Sequence, residues 1–419
     1  MKKYKLQDLG TIITGKTPST KQEDNFNGNI PFVTPEDITN NVYNLKKTGR
    51  YITEKGFASI KANTISGKSI LVGCIGSDMG NVGFINSECA TNQQINSITD
   101  IKSDFVPEYI YYNLCTKKEF FRKNAGSTTT PLLPKSVFSL LDIFCCDFES
   151  QQKISAVLSS LDDKIALNNR INAKLEQMAK RLYDYWFVQF DFPNADGKPY
   201  KSTGGKMVWN EELKREIPER WEVKSINDIS VSYRGVGYTA DDEKSETDEN
   251  VVLILRGNNI SNNHIVFDSN TVYLDKTFVS PDQEIHKFDL VMTMSSGSKE
   301  HVGKSAMFLY DSSHSYGAFC NKITPNKDCQ YFLENYLHSE YFKKYIKVTC
   351  SGTGINNLTN EHFDKAKFAF PDDEVLKAFN EKMNAFYEKR GILEQENLKL
   401  TSMRDKLLPL LMNGQVVVE

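Results

Sequence analysis

At 419 residues and 39% hydrophobic content the chain can build roughly two to four domains with their own cores, and a formal net charge of −3 excludes a uniformly basic surface. Any cationic face must be local. No apolar run reaches membrane-spanning length and no signal segment opens the chain, so it reads as cytoplasmic with no membrane partner; the eight cysteines lack a C-x-x-C pair and read as reduced structural thiols, not metal ligands.

The first element is a short strand and turn in "LQDLGTIITGKTPS", where Gly10, Gly15, Lys16 and Thr17 satisfy the phosphate-loop pattern G-x-x-x-x-G-K-[ST]. That pattern needs an apolar strand before it and a helix behind it. Here "MKKYKLQD" is short and charged, and Pro18 follows Thr17 directly, so a strand and glycine turn without nucleotide is expected. "IPFVTPEDITNN" and the strand-glycine block "SILVGCIGSDMGNVG" come next. "PEYIYYNLCTKKEFFRKN" then reads as an amphipathic helix ending near Gly126, followed by the loop "GSTTTPLLP".

From about Glu149 to Phe187 a four-three apolar spacing runs through Ile154, Leu158, Leu161, Ile165, Asn168, Asn172, Leu175, Ala179, Leu182 and Trp186. Such a stripe is a coiled-coil seam, with Asn172 as a register-setting polar residue. Asp162, Asp163 and Lys164 on this helix superficially suggest a nuclease triplet, but read as its solvated charged face.

The second half repeats these blocks in order. "SINDISVS" matches "KLQDLGTI", pairing Asp228 with Asp8; "VLILRGNNISNN" matches "IPFVTPEDITNN"; "DLVMTMSSGSKEHVG" matches "SILVGCIGSDMGNVG", ending on Val302-Gly303 against Val82-Gly83. The counterpart of "TGKTPS" is "RGVGYT", which keeps the turn and loses the phosphate residues. "CQYFLENYLHSEYFKKYIK" reads as a helix ending near Gly352, before the loop "GTGINNLTN". A second stripe follows through Phe379, Met383, Phe386, Arg390, Leu393, Asn397, Leu400, Arg404, Leu407 and Leu411, with Asn397 at the position of Asn172. A long helix packed on its own globule gives such a stripe; so does a pair of helices packed on each other, which the shared period, length and Asn position favour.

The expected fold is therefore α+β: two globular mixed α/β domains, each followed by a long helix, with the helices packed as an antiparallel coiled coil in a pseudo-two-fold internal repeat. The expected boundaries are 1–148 and 221–371 for the globules, 149–187 and 372–412 for the helices, and 188–220 for a connecting segment. Roughly 34 helical residues at about 1.5 Å each give a rod near 50 Å, enough to hold two recognition surfaces a turn or more of duplex DNA apart.

No catalytic constellation survives inspection. Pro-Pro is absent, which excludes the amino-methyltransferase tetrapeptide; "RGVGY" and "SGTGIN" lack the strand, helix and distant acid of a dinucleotide or methyl-donor fold; all six histidines lie in the second half. The matched loops instead carry hydrogen-bonding groups suited to phosphates and base edges. In the first half these are Lys16, Thr17, Ser77, Asn81, Thr128 and Thr129. In the second they are Arg234, Arg256, Asn258, Ser298, Lys299, His301, Lys304, Asn356 and Asn357. Ordinary turn residues on a solvated surface give the same residue types, and only the repeat singles the loops out as a set.

On the opening "LQDLGTIITGKTPS" and its counterpart "IPERWEVKSINDIS", the central "SQQKISAVLSSLDDKIALNNRINAKLEQMAKRLYDYWFVQFDFP", the following "NADGKPYKSTGGKMVW", the two strand-glycine blocks and the ending "NLKLTSMRDKLLPLLMNGQ", the chain resembles the specificity subunits of type I restriction-modification enzymes over essentially its whole length. The resemblance implies two target-recognition domains, each reading one half of an asymmetric bipartite double-stranded DNA sequence, with the paired helices setting the gap. It further implies two modification (methyltransferase) subunits and motor-nuclease restriction subunits as partners. S-adenosylmethionine, ATP and Mg belong to those partners, so the chain itself is expected to be non-catalytic and free of cofactors. The alternatives left open are an enzyme that binds ATP or a methyl donor itself, and a coiled-coil adaptor whose globules bind proteins.

Overall fold

The computed structural model describes residues 1–76, 79–126, 131–267, 271–298, 300–350 and 356–418, with the backbone alone at Asn356. They form two compact units, Met1–Asn168 with Glu396–Glu419, and Asn169–Gln395. No helix among the described residues is long and apolar enough to cross a membrane.

In the first unit Lys2–Lys5 pairs antiparallel with Asp142–Cys145 and joins the two ends of the globule. The one-turn helix Leu6–Leu9 buries both leucines, and Asp8 Oδ2 accepts the Lys5 amide proton at 2.8 Å. A carboxylate at that position satisfies a backbone donor that a helix start leaves open. Asp228 does the same for the Ser225 amide at 2.7 Å, beside the pairing of Glu222–Ser225 with Lys367–Phe370. The repeated aspartate is thus a capping residue.

Behind this helix lies an antiparallel sheet in the order Thr11–Thr14, Ile95–Thr99, Lys68–Gly73, Val82–Asn86, which the second unit repeats as Ser230–Arg234, Cys320–Pro325, Leu290–Thr293, Ser305–Met307. Lys68–Gly73 carries consecutive apolar residues because both its faces are covered. Ile70 and Val72 enter the core that contains Tyr109 and Ile110, while Leu71 joins Val33, Ile38 and Ile85 on the other face. Leu290 and Met292 divide from Val291 in the same way. A second layer is marked in each unit by a parallel pairing, Phe32 beside Ala90 and Ile254 beside Ser315.

The phosphate-loop look-alike is the edge strand of the first sheet. The Gly15 amide donates to the Ile95 carbonyl at 3.1 Å, as Gly235 does to Cys320 at 3.1 Å, and a Cβ would collide with the Asn92 carbonyl at Gly15 and the Gly317 carbonyl at Gly235. Glycine is required for that crossing. Thr17 is followed by irregular chain and a turn, with no α-helix to hold a phosphate.

Three expectations are corrected. The residue equivalent to Gly303 is Gly80, not Gly83: both have positive φ (+80° and +88°) and both donate to the end of the central strand, Gly80 to Gly73 and Gly303 to Thr293. The second loop is therefore the longer one, which a gapless match conceals. Each globule helix is broken in two, as Pro107–Cys115 with Lys118–Asn124, and Gln330–Leu337 with Glu340–Thr349; Ser339 caps the latter by accepting the Phe342 amide at 3.2 Å. Finally, Asp162 is not on a solvated face. It is buried, with Arg404 Nη1 at 2.7 Å and the Tyr112 hydroxyl donating to it at 2.6 Å.

The long helices span Phe148–Tyr183, continued by a wide turn over Asp184–Val188, and Asp373–Met412. In the first unit Asp162 meets Arg404, and Asn168 donates to Asn397 at 2.9 Å and to Glu396 at 2.8 Å. In the second unit Glu176 meets Arg390 at 3.1 Å, and Trp186 packs on Phe379. Numbers rise on one helix as they fall on the other, so the segments pair antiparallel in both units. Leu158, Asn172 and Met383 are buried; Leu161, Ile165, Leu175, Leu182, Phe386, Asn397, Leu400 and Leu407 are half-buried.

Each helix also packs on its own globule, so both readings of the stripe hold together. The contact is made by a tyrosine and a carboxylate in exchanged places. Tyr112 on the first globule donates to Asp162 on the helix; Tyr387 on the helix donates to Glu334 on the second globule. The segment 188–220 is packed, since Phe190, Phe192 and Ile217 enter the second unit's core beside Trp221.

Candidate nucleic-acid interface

In both units the loops singled out by the repeat converge at the end of the central strand. In the first, the Leu133 amide donates to the Cys74 carbonyl at 2.9 Å; in the second, Leu358 donates to Met294 at 2.7 Å, and Ser295–Ser296 pairs with Asn356–Asn357. Two distant loops are thereby tied side by side twice over.

In the second unit this convergence opens a cleft of 490 Å³, lined among others by Tyr238, Arg256, Asn258, Ser296, His301 and Phe319. Arg256 enters it from a turn in which Asn259 Oδ1 accepts the Arg256 amide proton at 2.9 Å, the counterpart of Asp37 accepting from Thr34 at 2.7 Å. Gly257 lets that turn lie against Thr293, whose side chain a Cβ would meet at 3.0 Å. Burial pushes the Tyr238 phenol up, and the charge of the Arg256 guanidinium, which also donates a hydrogen bond to it, opposes that shift. Lys304 Nζ donates to His301 Nδ1 at 3.2 Å. A half-open pocket with a guanidinium, an imidazole, an amide and aromatic rings can hold phosphate oxygens and the edge of a base.

The sequence-derived residues separate as follows. Arg256, Asn258 and His301 meet in the cleft; Lys304 reaches His301; Ser298 and Asn357 lie on the two loops that border it. Arg234 is exposed on its strand and lies outside the residues lining the cleft, its carbonyl accepting from Gln283. In the first unit Lys16 is exposed and Thr17 donates to Gln93 at 2.8 Å. Asn81 is corrected: at 2% exposure it is turned into the fold and presents no side chain to a ligand at the surface. Ser77, Thr128, Thr129 and Lys299 lie outside the described residues, as does the Asn356 side chain. Sequence reasoning missed Tyr238 and Phe319; an aromatic residue within glycine-rich "RGVGY" and "YGAF" was the available signal. Among the described residues no cluster of His, Cys, Asp and Glu is arranged to hold a metal ion.

The family model of the type I restriction modification DNA specificity domain matches residues 1–177 and 218–402. The chain belongs to the type I restriction-modification specificity subunits. As a specificity subunit it is the non-catalytic, DNA-sequence-recognising component of such a system. It is 27% identical over 420 residues to the type I restriction enzyme MjaIX specificity subunit of Methanocaldococcus jannaschii, covering 99% of this chain and 93% of that one. It is 26% identical over 366 residues to the HindI specificity subunit of Haemophilus influenzae, covering 74% and 78%. The crystal structure of the type I S subunit from M. genitalium shares the fold, with a TM-score of 0.56 at 16% identity over 98% of this chain and 95% of that one.

Within this specificity subunit the second globule is anchored to the helices by charge. His264, on the hairpin Ile260–Ser261/His264–Ile265, lies 3.1 Å from Glu176, and Arg390 holds Glu176 at 3.1 Å and Glu334 at 3.4 Å. Donating a hydrogen bond to the Glu176 carboxylate raises the imidazole's affinity for its proton. Burial pushes the Glu334 carboxyl up to about 7, against the pull of Arg390.

Proposed function

We propose that each globular domain, 1–148 and 221–371, reads one half of an asymmetric bipartite target in double-stranded DNA, and that the paired helices set the unread gap. The observation that carries this reading is the doubled loop junction: Leu133 to Cys74 and Leu358 to Met294 repeat one backbone register, while the side chains around it differ. Identical scaffolds bearing different donors suit two different half-sites. Two modification subunits dock on the helices and their flanks, restriction subunits join outside them, and the assembled complex works in the cytoplasm. S-adenosylmethionine, ATP and Mg are bound by those partners, which perform adenine methylation and DNA translocation.

The test is to exchange residues 1–148 for the equivalent domain of another specificity subunit and to map methylated adenines in cells that also carry the modification subunit. One half of the methylated sequence should change and the other should persist. If both halves changed together, or neither did while the complex still assembled, the division of labour would be wrong, and the second outcome would favour a protein-binding adaptor.

A further inference from the structure

Phe319 is the one fully open apolar side chain among those lining the second unit's cleft, at 69% exposure. The fold uses its backbone and not its ring: the Phe319 carbonyl accepts the Met294 amide at 2.8 Å and the Ser295 amide at 3.2 Å. In the first unit the Gln94 carbonyl accepts the Cys74 amide at 2.8 Å, so position 94 is the register equivalent of 319. The backbone duty is common to both units and the side chain is not. An amide stands at one site and a bare aromatic ring at the other, which is how a readout position differs from a structural one.

Beside Phe319 the cleft offers Arg256, Asn258 and His301, all polar. The edges of a duplex in the major groove are likewise polar except for one group, the thymine 5-methyl, and arginine most often engages guanine there. An apolar ring left open on such a surface gains by excluding water from the apolar groups of the duplex, and on the base edges that group is the thymine methyl. We propose that Phe319 reads a thymine methyl in the half-site bound by the second unit, next to a guanine engaged by Arg256. This rests on the DNA-reading role proposed for the cleft.

The experiment uses the full chain in complex with its modification subunits and duplexes carrying the mapped target, with each thymine of the half-site replaced in turn by deoxyuridine, which lacks only the methyl group. One replacement should weaken wild-type binding about fourfold, the effect of burying one methyl, and should leave the Phe319→Ala complex unchanged. Phe319→Leu should retain part of the discrimination. A uracil profile identical in wild type and Phe319→Ala, or a half-site without thymine, overturns the assignment. So does an equal loss by Phe319→Ala on every duplex, which would make the ring a wedge and not a reader. Exchange of residues 221–371 distinguishes the levels: a changed half-site with an unchanged uracil profile sinks this inference alone, and an unchanged target sinks the reading beneath it.

Discussion

Arg390→Met removes the positive charge from the centre of the second unit while keeping most of the side-chain volume. Arg390 is 3% exposed, lies 3.1 Å from Glu176 and 3.4 Å from Glu334, and has its guanidinium over the Tyr387 ring at 5.0 Å. The change leaves Glu334 buried without its cation, bonded to the Tyr387 hydroxyl and facing the Glu176 and Glu394 carboxylates. Breaking a buried pair by removing one partner costs about 3–5 kcal/mol, because the other charge must be neutralised or endure its desolvation. For a unit the size of Asn169–Gln395 that is a fall of about 6–20 °C in Tm. Differential scanning calorimetry of the full chain resolves it as a downshift of one transition. Adding Glu334→Gln to Arg390→Met should recover part of the loss, since the stranded acid is then a neutral amide. A fall below about 2 °C, or a double variant no more stable than Arg390→Met, would refute the claim that the pair governs this packing.

Lys16→Ala should leave folding intact and ATP binding as absent as before, while lowering the slope of log affinity against log salt by about one for duplex DNA; saturable ATP binding by the wild-type chain would overturn this reading of the glycine motif. Because Asn168 faces Asn397, matched seven-residue insertions belong after Asn168 and after Glu396, and together they should lengthen the gap by about three base pairs, at about 10 Å per heptad. An insertion in one helix alone should abolish methylation, and an unchanged gap in every variant seen by methylome sequencing would show that the helices are not the ruler. His264 has its proton affinity raised by Glu176, with Glu394 and Arg390 also facing it, so its contribution to stability is complete below its unfolded pKa of about 6.5 and is lost as pH rises through the higher folded value. His264→Gln should therefore narrow the stability difference between pH 6 and pH 8, read as Tm against pH; an unaltered profile would remove His264 from the clasp.

The parts of the fold legible in the sequence are those set by local rules. Asp8 and Asp228 announce themselves because a capping carboxylate acts within three residues, and "SILV" and "LVMT" because a strand covered on both faces must be apolar throughout. The helices are legible through their period. What escaped depends on partners remote in sequence. Asp162 looks solvated until Arg404 and Tyr112 arrive beside it, Asn81 looks like a loop donor until the fold turns it inward, and the equivalence of Gly80 with Gly303 is visible only in the bonds they make. Of the candidate interface, the cationic and amide residues followed from chemical type, whereas Phe319 did not, because an aromatic residue beside a glycine is as compatible with a core position as with the open one that the fold gives it.

The exchanged tyrosine and carboxylate work as a keyed joint. A first globule grafted onto the C-terminal helix would set Tyr112 against Tyr387, a neutral pair of hydroxyls in place of a hydroxyl on a carboxylate; a second globule on the central helix would set Glu334 against Asp162, two acids in one buried place. Neither mismatch can be relieved by water in so closed a contact, and the second adds like-charge repulsion to desolvation. Each globule therefore matches the helix that follows it better than it would match the other. A globule imported from elsewhere should seat best on the central helix when it brings a hydrogen-bond donor to meet the Asp162 oxygen that Arg404 leaves to Tyr112.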